Sequence, residues 1–289
     1  MTDQELSKII EDLMVARNPR NMRDAQAALT PGYYLRAAHY LYPENGNIII
    51  GTGFPVVDTF ETDGPVGALA LYTVLENLGH SCWLACAAPL AGALANDYRV
   101  LPLTTRDPNV AATEAQQILT ELTPLAIISI ERPGVTSDGC YYNMRGEDIS
   151  PRCGIFDDFM NLASCPTIAI GDGGNEIGMG KIAHAIENLD INASVPSCDE
   201  LLVADVSNWA AYGLIAFLSR WHEQDLLAQL DPLSLLQYLS DKGSVDGVTR
   251  TNTLTEDGLP ASDGIDLINE LRGLLGYVAV QSTPLTSGQ

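Results

Sequence analysis

P-T-I-A-I-G-D-G-G-N-E-I-G-M-G-K, residues 166–181, passes from a short apolar run into a glycine-rich turn carrying two acids, then into a segment read as a helix. The same order recurs outward along the chain. Apolar runs stand at 47–54, 81–88, 98–103, 124–131, 166–171 and 200–206. Helical patterns are read between and after them near 64–79, 89–96, 109–122, 154–163, 176–189 and 208–222. Short, continuously apolar strands alternating with helices are the pattern of a parallel sheet covered on both faces. The expectation is a mostly parallel, Rossmann-like α/β sheet over 45–222, with a helical cap at 1–44 and a helical extension ending in a loose tail at 223–289, all one domain.

The composition suits such a core: 46% of the 289 residues are hydrophobic and 18% charged, which argues against a disordered chain. Fifteen Lys and Arg stand against 37 Asp and Glu, a formal charge of -22. That field repels phosphate backbones and anionic lipid, so neither nucleic acid nor a membrane surface is an expected partner. No apolar run approaches the roughly 20 residues of a bilayer span. The acidic N-terminus reads as an amphipathic helix, not a signal peptide. Six cysteines without a C-x-x-C pair read as free thiols in a reducing compartment, with the cytoplasm as the expected location. Whether copies of the chain form a homo-oligomer is left open.

Ligands of open parallel sheets bind beyond the carboxyl ends of the strands, and there this chain collects its polar residues. G-T-G-F-P-V (51–56) and E-T-D-G-P (61–65) follow the first strand, and E-R-P-G (131–134) the fourth. G-D-G-G-N-E (171–176) follows the fifth, and D-V-S-N-W (205–209) the last. Asp63, just before Gly64-Pro65, also suits an N-cap of its own helix. The four histidines, His39, His80, His184 and His222, fall outside these clusters and are read as structural.

The glycine-rich turn fails two nucleotide fingerprints. A dinucleotide G-x-G-x-x-G would need glycine where Glu176 stands, and a Walker loop would need glycine at Asn175 and Ser or Thr at Ile182. An acid at a helix start also repels phosphate. No nucleotide cofactor is therefore expected. G-D-G-G-N-E also resembles the Mg²⁺-holding motif of haloacid-dehalogenase-like phosphatases, but the aspartyl nucleophile of that family has no counterpart at a strand end here. That makes a metal-dependent phosphatase the alternative enzyme reading. A non-catalytic protein that binds an amino acid or acidic metabolite is the alternative outside enzymes.

Taken together, G-T-G-F-P-V, E-T-D-G-P-V-G-A-L-A-L (61–71), I-E-R-P-G (130–134), Y-Y-N-M-R-G-E-D-I-S (141–150) and I-G-D-G-G-N-E-I-G-M-G-K (170–181) resemble the C-terminal domain of the D-glutamate cyclase family. V-S-N-W-A-A-Y (206–212), D-G-V-T (246–249) and D-G-L-P (257–260) continue the likeness in order. The resemblance implies a lyase that closes D-glutamate to 5-oxo-D-proline with loss of water, acting on a small acidic amino acid.

Lactam closure needs a base for the amine, neutralisation of the γ-carboxylate and a proton for the departing oxygen. The carboxylates expected to do this are Glu61, Asp63, Glu131, Asp172 and Glu176, with Glu131 placed to reach the amine. Asp172, Glu176 and Asp63 could hold a divalent cation, Mg²⁺ or Mn²⁺. Alternatively, close-packed carboxyls with raised pKa values serve without metal. Arg132 and Arg145 are the expected carboxylate clamps. Thr52, Asn143, Asn175, Ser207 and Asn208 are expected to hydrogen-bond the substrate, with Gly53, Gly173 and Gly174 allowing backbone approach.

Overall fold

The computed structural model describes residues 1–43 and 45–278; the expected tail beyond 278 lies outside the described residues. Its centre is a sheet of six parallel strands: β1 (Asn47–Thr52), β2 (Ser81–Cys86), β3 (Val100–Pro102), β4 (Ala126–Ile130), β5 (Thr167–Gly171) and β6 (Glu200–Val203). They lie in the order β3-β2-β1-β4-β5-β6, every neighbouring pair parallel. The chain lays strands outward from β1 in one direction, then returns to β4 and continues in the other. Between β1 and β4 the connections diverge, which opens a crevice at their carboxyl ends. Ile48, Ile49 and Ile50 are fully buried, as are Ile127 and Ile128; each such side chain contributes about 1.5–3 kcal/mol of burial. The continuous apolar runs are therefore central strands.

Three helices form the N-terminal cap: α1 (Asp3–Met14), α2 (Met22–Ala28) and α3 (Tyr33–Leu41). Thr2 opens α1 with a capping box closed by Glu5. Then follow α4 (Pro65–Asn77), α5 (Leu90–Leu94), α6 (Pro108–Leu122), α7 (Asp157–Asn161), α8 (Ala183–Ile186) and α9 (Ser207–Trp221). Helices α4 and α9 are buried nearly throughout and pack closely. A Cβ on Gly67 would lie 2.8 Å from the Asn208 Cα, so glycine sets that approach. The C-terminal extension supplies α10 (Pro232–Asp241) and α11 (Ala261–Leu274).

The helix read over 176–189 is only a 3-10 turn, Met179–Ile182, followed by the single turn of α8. Gly178 sits at φ +98, and a Cβ on Gly180 would lie 1.9 Å from the Val195 carbonyl oxygen. The segment is pressed against the 195–196 backbone and has no room for a helix. Similarly, the helix read over 154–163 contracts to α7.

Two short antiparallel ribbons, 55–56 with 59–60 and 255–256 with 259–260, add to the sheet's surroundings. The second turns on Asp257 and Gly258, both at positive φ, the Asp-Gly pair suited to a two-residue hairpin.

Candidate active site

Acids from three strand ends and from the extension converge on the β1–β4 crevice. A cavity of about 150 Å³ is lined there by Glu61, Glu131, Asp172 and Asp257, with Phe54, Val56, Asn143, Met144, Asn175, Gly247 and Val248. Arg20, Arg145 and Arg250 complete the lining. The acids are the buried part: Glu61, Glu131 and Asp172 are at most 7% exposed. Arg145 and Met144 are exposed, while Arg250 is paired with Glu147 at 2.6 Å, so the wall is acidic inside apart from Arg20 and carries Arg145 toward the mouth.

Glu131 ends β4 in the left-handed region, φ +46, unusual for a residue with a side chain and a recurrent mark of functional positions. The turn aims its carboxylate at α9, where Oε2 accepts the Ser207 hydroxyl at 2.6 Å. Gly64, at φ +88, makes this possible, since a Cβ there would lie 2.7 Å from that of Glu131. Burial pushes Glu131 well above the ordinary carboxyl range, and neighbouring Glu176, Asp63 and Glu61 add to it. Glu61 is driven the same way by burial and by Asp257 and Asp63.

Asp63 caps α9 rather than its own helix. Its Oδ2 accepts the Ser207 N–H at 3.0 Å and its Oδ1 the Asn208 N–H at 2.8 Å. The Gly64 N–H, 2.9 Å away, also donates to Oδ1. A negative group at that helix end is favourable, yet burial beside Asp257 and Glu256 still pushes Asp63 up to about 8. Asn208 links it onward, donating to Glu256 at 2.7 Å and accepting the Gly67 N–H at 2.7 Å. Glu256 also takes the Trp209 indole N–H at 2.8 Å.

Asp172 is held by Arg20, which reaches over from the N-terminal cap. One guanidinium nitrogen meets the carboxylates of both Asp172 and Asp257 and the Asp205 carbonyl at 3.0 Å. Its Nε donates to the Asp172 carbonyl at 3.1 Å. Burial raises Asp172 well above the ordinary range; Arg20 pulls it down and the surrounding acids push it up again. Asp246 orders the 246–258 segment by accepting the N–H groups of Val248, Thr249 and Gly258, which positions the hairpin bearing Asp257.

The expected residues divide accordingly. Glu61, Glu131, Asp172, Asn143, Arg145 and Asn175 line the cavity. Asp63, Ser207 and Asn208 stand one layer behind it, joined by the bonds above. Glu176 accepts the Gly174 N–H at 2.7 Å and shapes the turn. Gly173 packs under Met144, and Gly174 adopts φ +111. Thr52 is fully buried with its hydroxyl unpartnered.

Arg132 departs furthest from expectation. It is 1% exposed and donates to the carbonyls of Thr52 (2.9 Å), Gly53 (3.4 Å) and Gly154. Its guanidinium thus ties backbone together and does not line the acidic cavity.

Oxygens of Asp63, Glu131 and Asp172 lie within 4.8 Å of one another, so Glu131 takes the place expected for Glu176 in a cation-sized cluster. Hard carboxylate oxygens suit Mg²⁺ or Mn²⁺, although Asp172 already shares its charge with Arg20.

Arg20, Arg250 and Asp257 were missed as site residues. Arg20 belongs to an arginine group unusual in so acidic a chain. Asp257 opens D-G-L-P, and Arg250 directly follows D-G-V-T. Those signals were present, but only the fold shows that these segments reach β4.

A family model described as D-glutamate cyclase-like, C-terminal, matches residues 10–272. The chain is 33% identical over 203 residues to the mitochondrial D-glutamate cyclase of Homo sapiens, covering 60% of this chain and 32% of that protein. It thus matches about a third of that relative's length. A crystal structure of an exopolyphosphatase-related protein from Bacteroides fragilis aligns with TM-score 0.45 at 9% identity, covering 87% of this chain and 62% of that one. Among the described residues no helix is long and apolar enough to cross a membrane.

Proposed function

The chain belongs to the D-glutamate cyclase-like family, and from that premise we propose that it is a lyase closing D-glutamate to 5-oxo-D-proline and water in the β1–β4 cavity. The observation that carries the reading is the cavity's polarity: buried carboxyls with raised pKa values inside and Arg145 toward the mouth. An amino-acid dicarboxylate complements that arrangement, its amine against the acids and its carboxylates toward Arg145 and Arg250.

In the proposed reaction Glu131 in its ionised form, made the stronger base by its raised pKa, takes a proton from the substrate ammonium, and the freed amine attacks the γ-carboxyl carbon. A C–N bond forms and a C–O bond breaks. Glu61, kept protonated by burial and by the charges of Asp257 and Asp63, protonates the γ-carboxylate, and Glu131 passes the ammonium proton to the departing oxygen. Asp172, paired with Arg20, keeps a negative charge against the substrate amine. The second amine proton is lost as the lactam forms, restoring the carboxyl set as water leaves. Folding one flexible substrate into ring-closing geometry supplies a large share of the acceleration. Asp63 and Ser207 act by holding Glu131 and the start of α9 in place. Asp63, Glu131 and Asp172 would hold a divalent cation, which when bound would polarise the γ-carboxylate.

The test is turnover. The purified chain is incubated with D- and L-glutamate, with Mg²⁺, Mn²⁺ or chelator, and 5-oxoproline is followed by mass spectrometry. Product from D-glutamate supports the reading. Binding without product under every condition would make the protein a metabolite-binding protein instead.

A further inference from the structure

Behind Phe54, which walls both, lies a second and much smaller cavity of about 20 Å³. That is room for one water molecule or one monatomic ion. Gly53, Leu90, Arg132, Arg152, Cys153 and Gly154 are among its walls. Two arginines, Arg132 and Arg152, therefore border a space for a single small particle, in a protein whose net charge is strongly negative.

Neither guanidinium is neutralised. The Nη atoms of Arg132 donate to uncharged carbonyls, and its Nε is buried without a partner. Arg152 has a buried Nη1 that also lacks one. Asp157 acts on Arg132 from a distance, but its oxygens accept Tyr141 Oη at 2.6 Å and the Val135 N–H at 2.9 Å. The adjoining thiols supply no charge, because burial pushes Cys153 and Cys86 up to about 12. Burying an uncompensated cation is costly. Water in the cavity would satisfy an N–H group but leave the charge unbalanced.

We propose that this cavity is a halide site, occupied by chloride between Arg132 and Arg152. A carboxylate or phosphate has too many heavy atoms for the space. The bound ion would fasten the loop after β1 to the Arg152–Gly154 segment. Through Phe54 it would also steady one wall of the acidic cavity. The site does not depend on which reaction the larger cavity performs.

The experiment compares thermal melting of the purified chain in sodium chloride or bromide with sodium gluconate at equal ionic strength. A rise in Tm that sets in near the dissociation constant and continues at roughly 2–4 °C for each tenfold increase above it is expected in halide only. Arg152→Gln should remove the halide-specific part. Crystals of the unaltered protein grown in bromide should show an anomalous peak between the two guanidiniums, a readout independent of whether the variant folds. Equal melting in halide and gluconate, or a peak without anomalous signal, would overturn the proposal and assign a water.

Discussion

Removing Arg20 should cost stability in a way that depends on pH. Arg20 is the cation held between Asp172 and Asp257, with side chains 23%, 4% and 10% exposed. Breaking a buried ion pair by deleting one partner costs about 3–5 kcal/mol. Because water reaches part of this guanidinium, about 2–3 kcal/mol is the better expectation for Arg20→Gln near pH 8. Asp172 is already raised by burial, and Arg20 is what pulls it down. Without Arg20 its folded pKa moves further above the unfolded value. A carboxyl raised on folding favours the folded state at low pH and loses that advantage as pH rises through its folded pKa. The deficit should therefore shrink to about 1 kcal/mol near pH 5, where Asp172 takes up a proton in place of the ion pair. Urea denaturation of both proteins at pH 5 and pH 8 measures the difference directly. A loss below about 1 kcal/mol at pH 8, or equal losses at both values, would refute the view that this arginine neutralises buried acids.

The unaltered protein should itself become less stable between pH 5 and pH 8.5. Asp63 is raised from the ordinary 3.8 to about 8 and Glu256 from 4.5 to about 7, so both give up protons more readily unfolded, and the loss should be on the order of 6 kcal/mol. Chemical denaturation that found stability rising over that window would contradict those shifts. Glu131→Gln and Asp172→Asn should each lower turnover by about 10²–10⁴-fold with the circular dichroism spectrum unchanged, and normal activity in either variant would remove its assigned role. Gly247→Ala would bring a Cβ to 1.9 Å from Glu61 Oε2 and push that carboxyl out of place, so activity should fall while the melting temperature moves little. Arg145→Met should raise KM more than it lowers kcat if the residue meets a substrate carboxylate, whereas unchanged KM would exclude that contact.

The parallel sheet was legible because six continuous apolar runs alternate with helical segments, and those runs became the strands. Where the reading over 176–189 failed, the cause was tertiary: Gly180 lies against the Val195 backbone, a contact that no local pattern announces. Glu61, Glu131 and Asp172 could be placed at one edge because each follows a strand of the same sheet. Arg20 could not, since it arrives from a cap whose position depends on packing against α9 and β6. Arg132 misled for a related reason. It sits beside Glu131 in sequence, but the left-handed turn at Glu131 sends the two side chains to different cavities.

The most direct measurement is a structure of the Glu131→Gln variant with D-glutamate bound. The amine is expected against the acidic wall formed by Glu61, residue 131 and Asp172, with the carboxylates directed toward Arg145 and Arg250. A carboxylate placed against the buried acids, or a ligand seated outside this cavity, would contradict this arrangement.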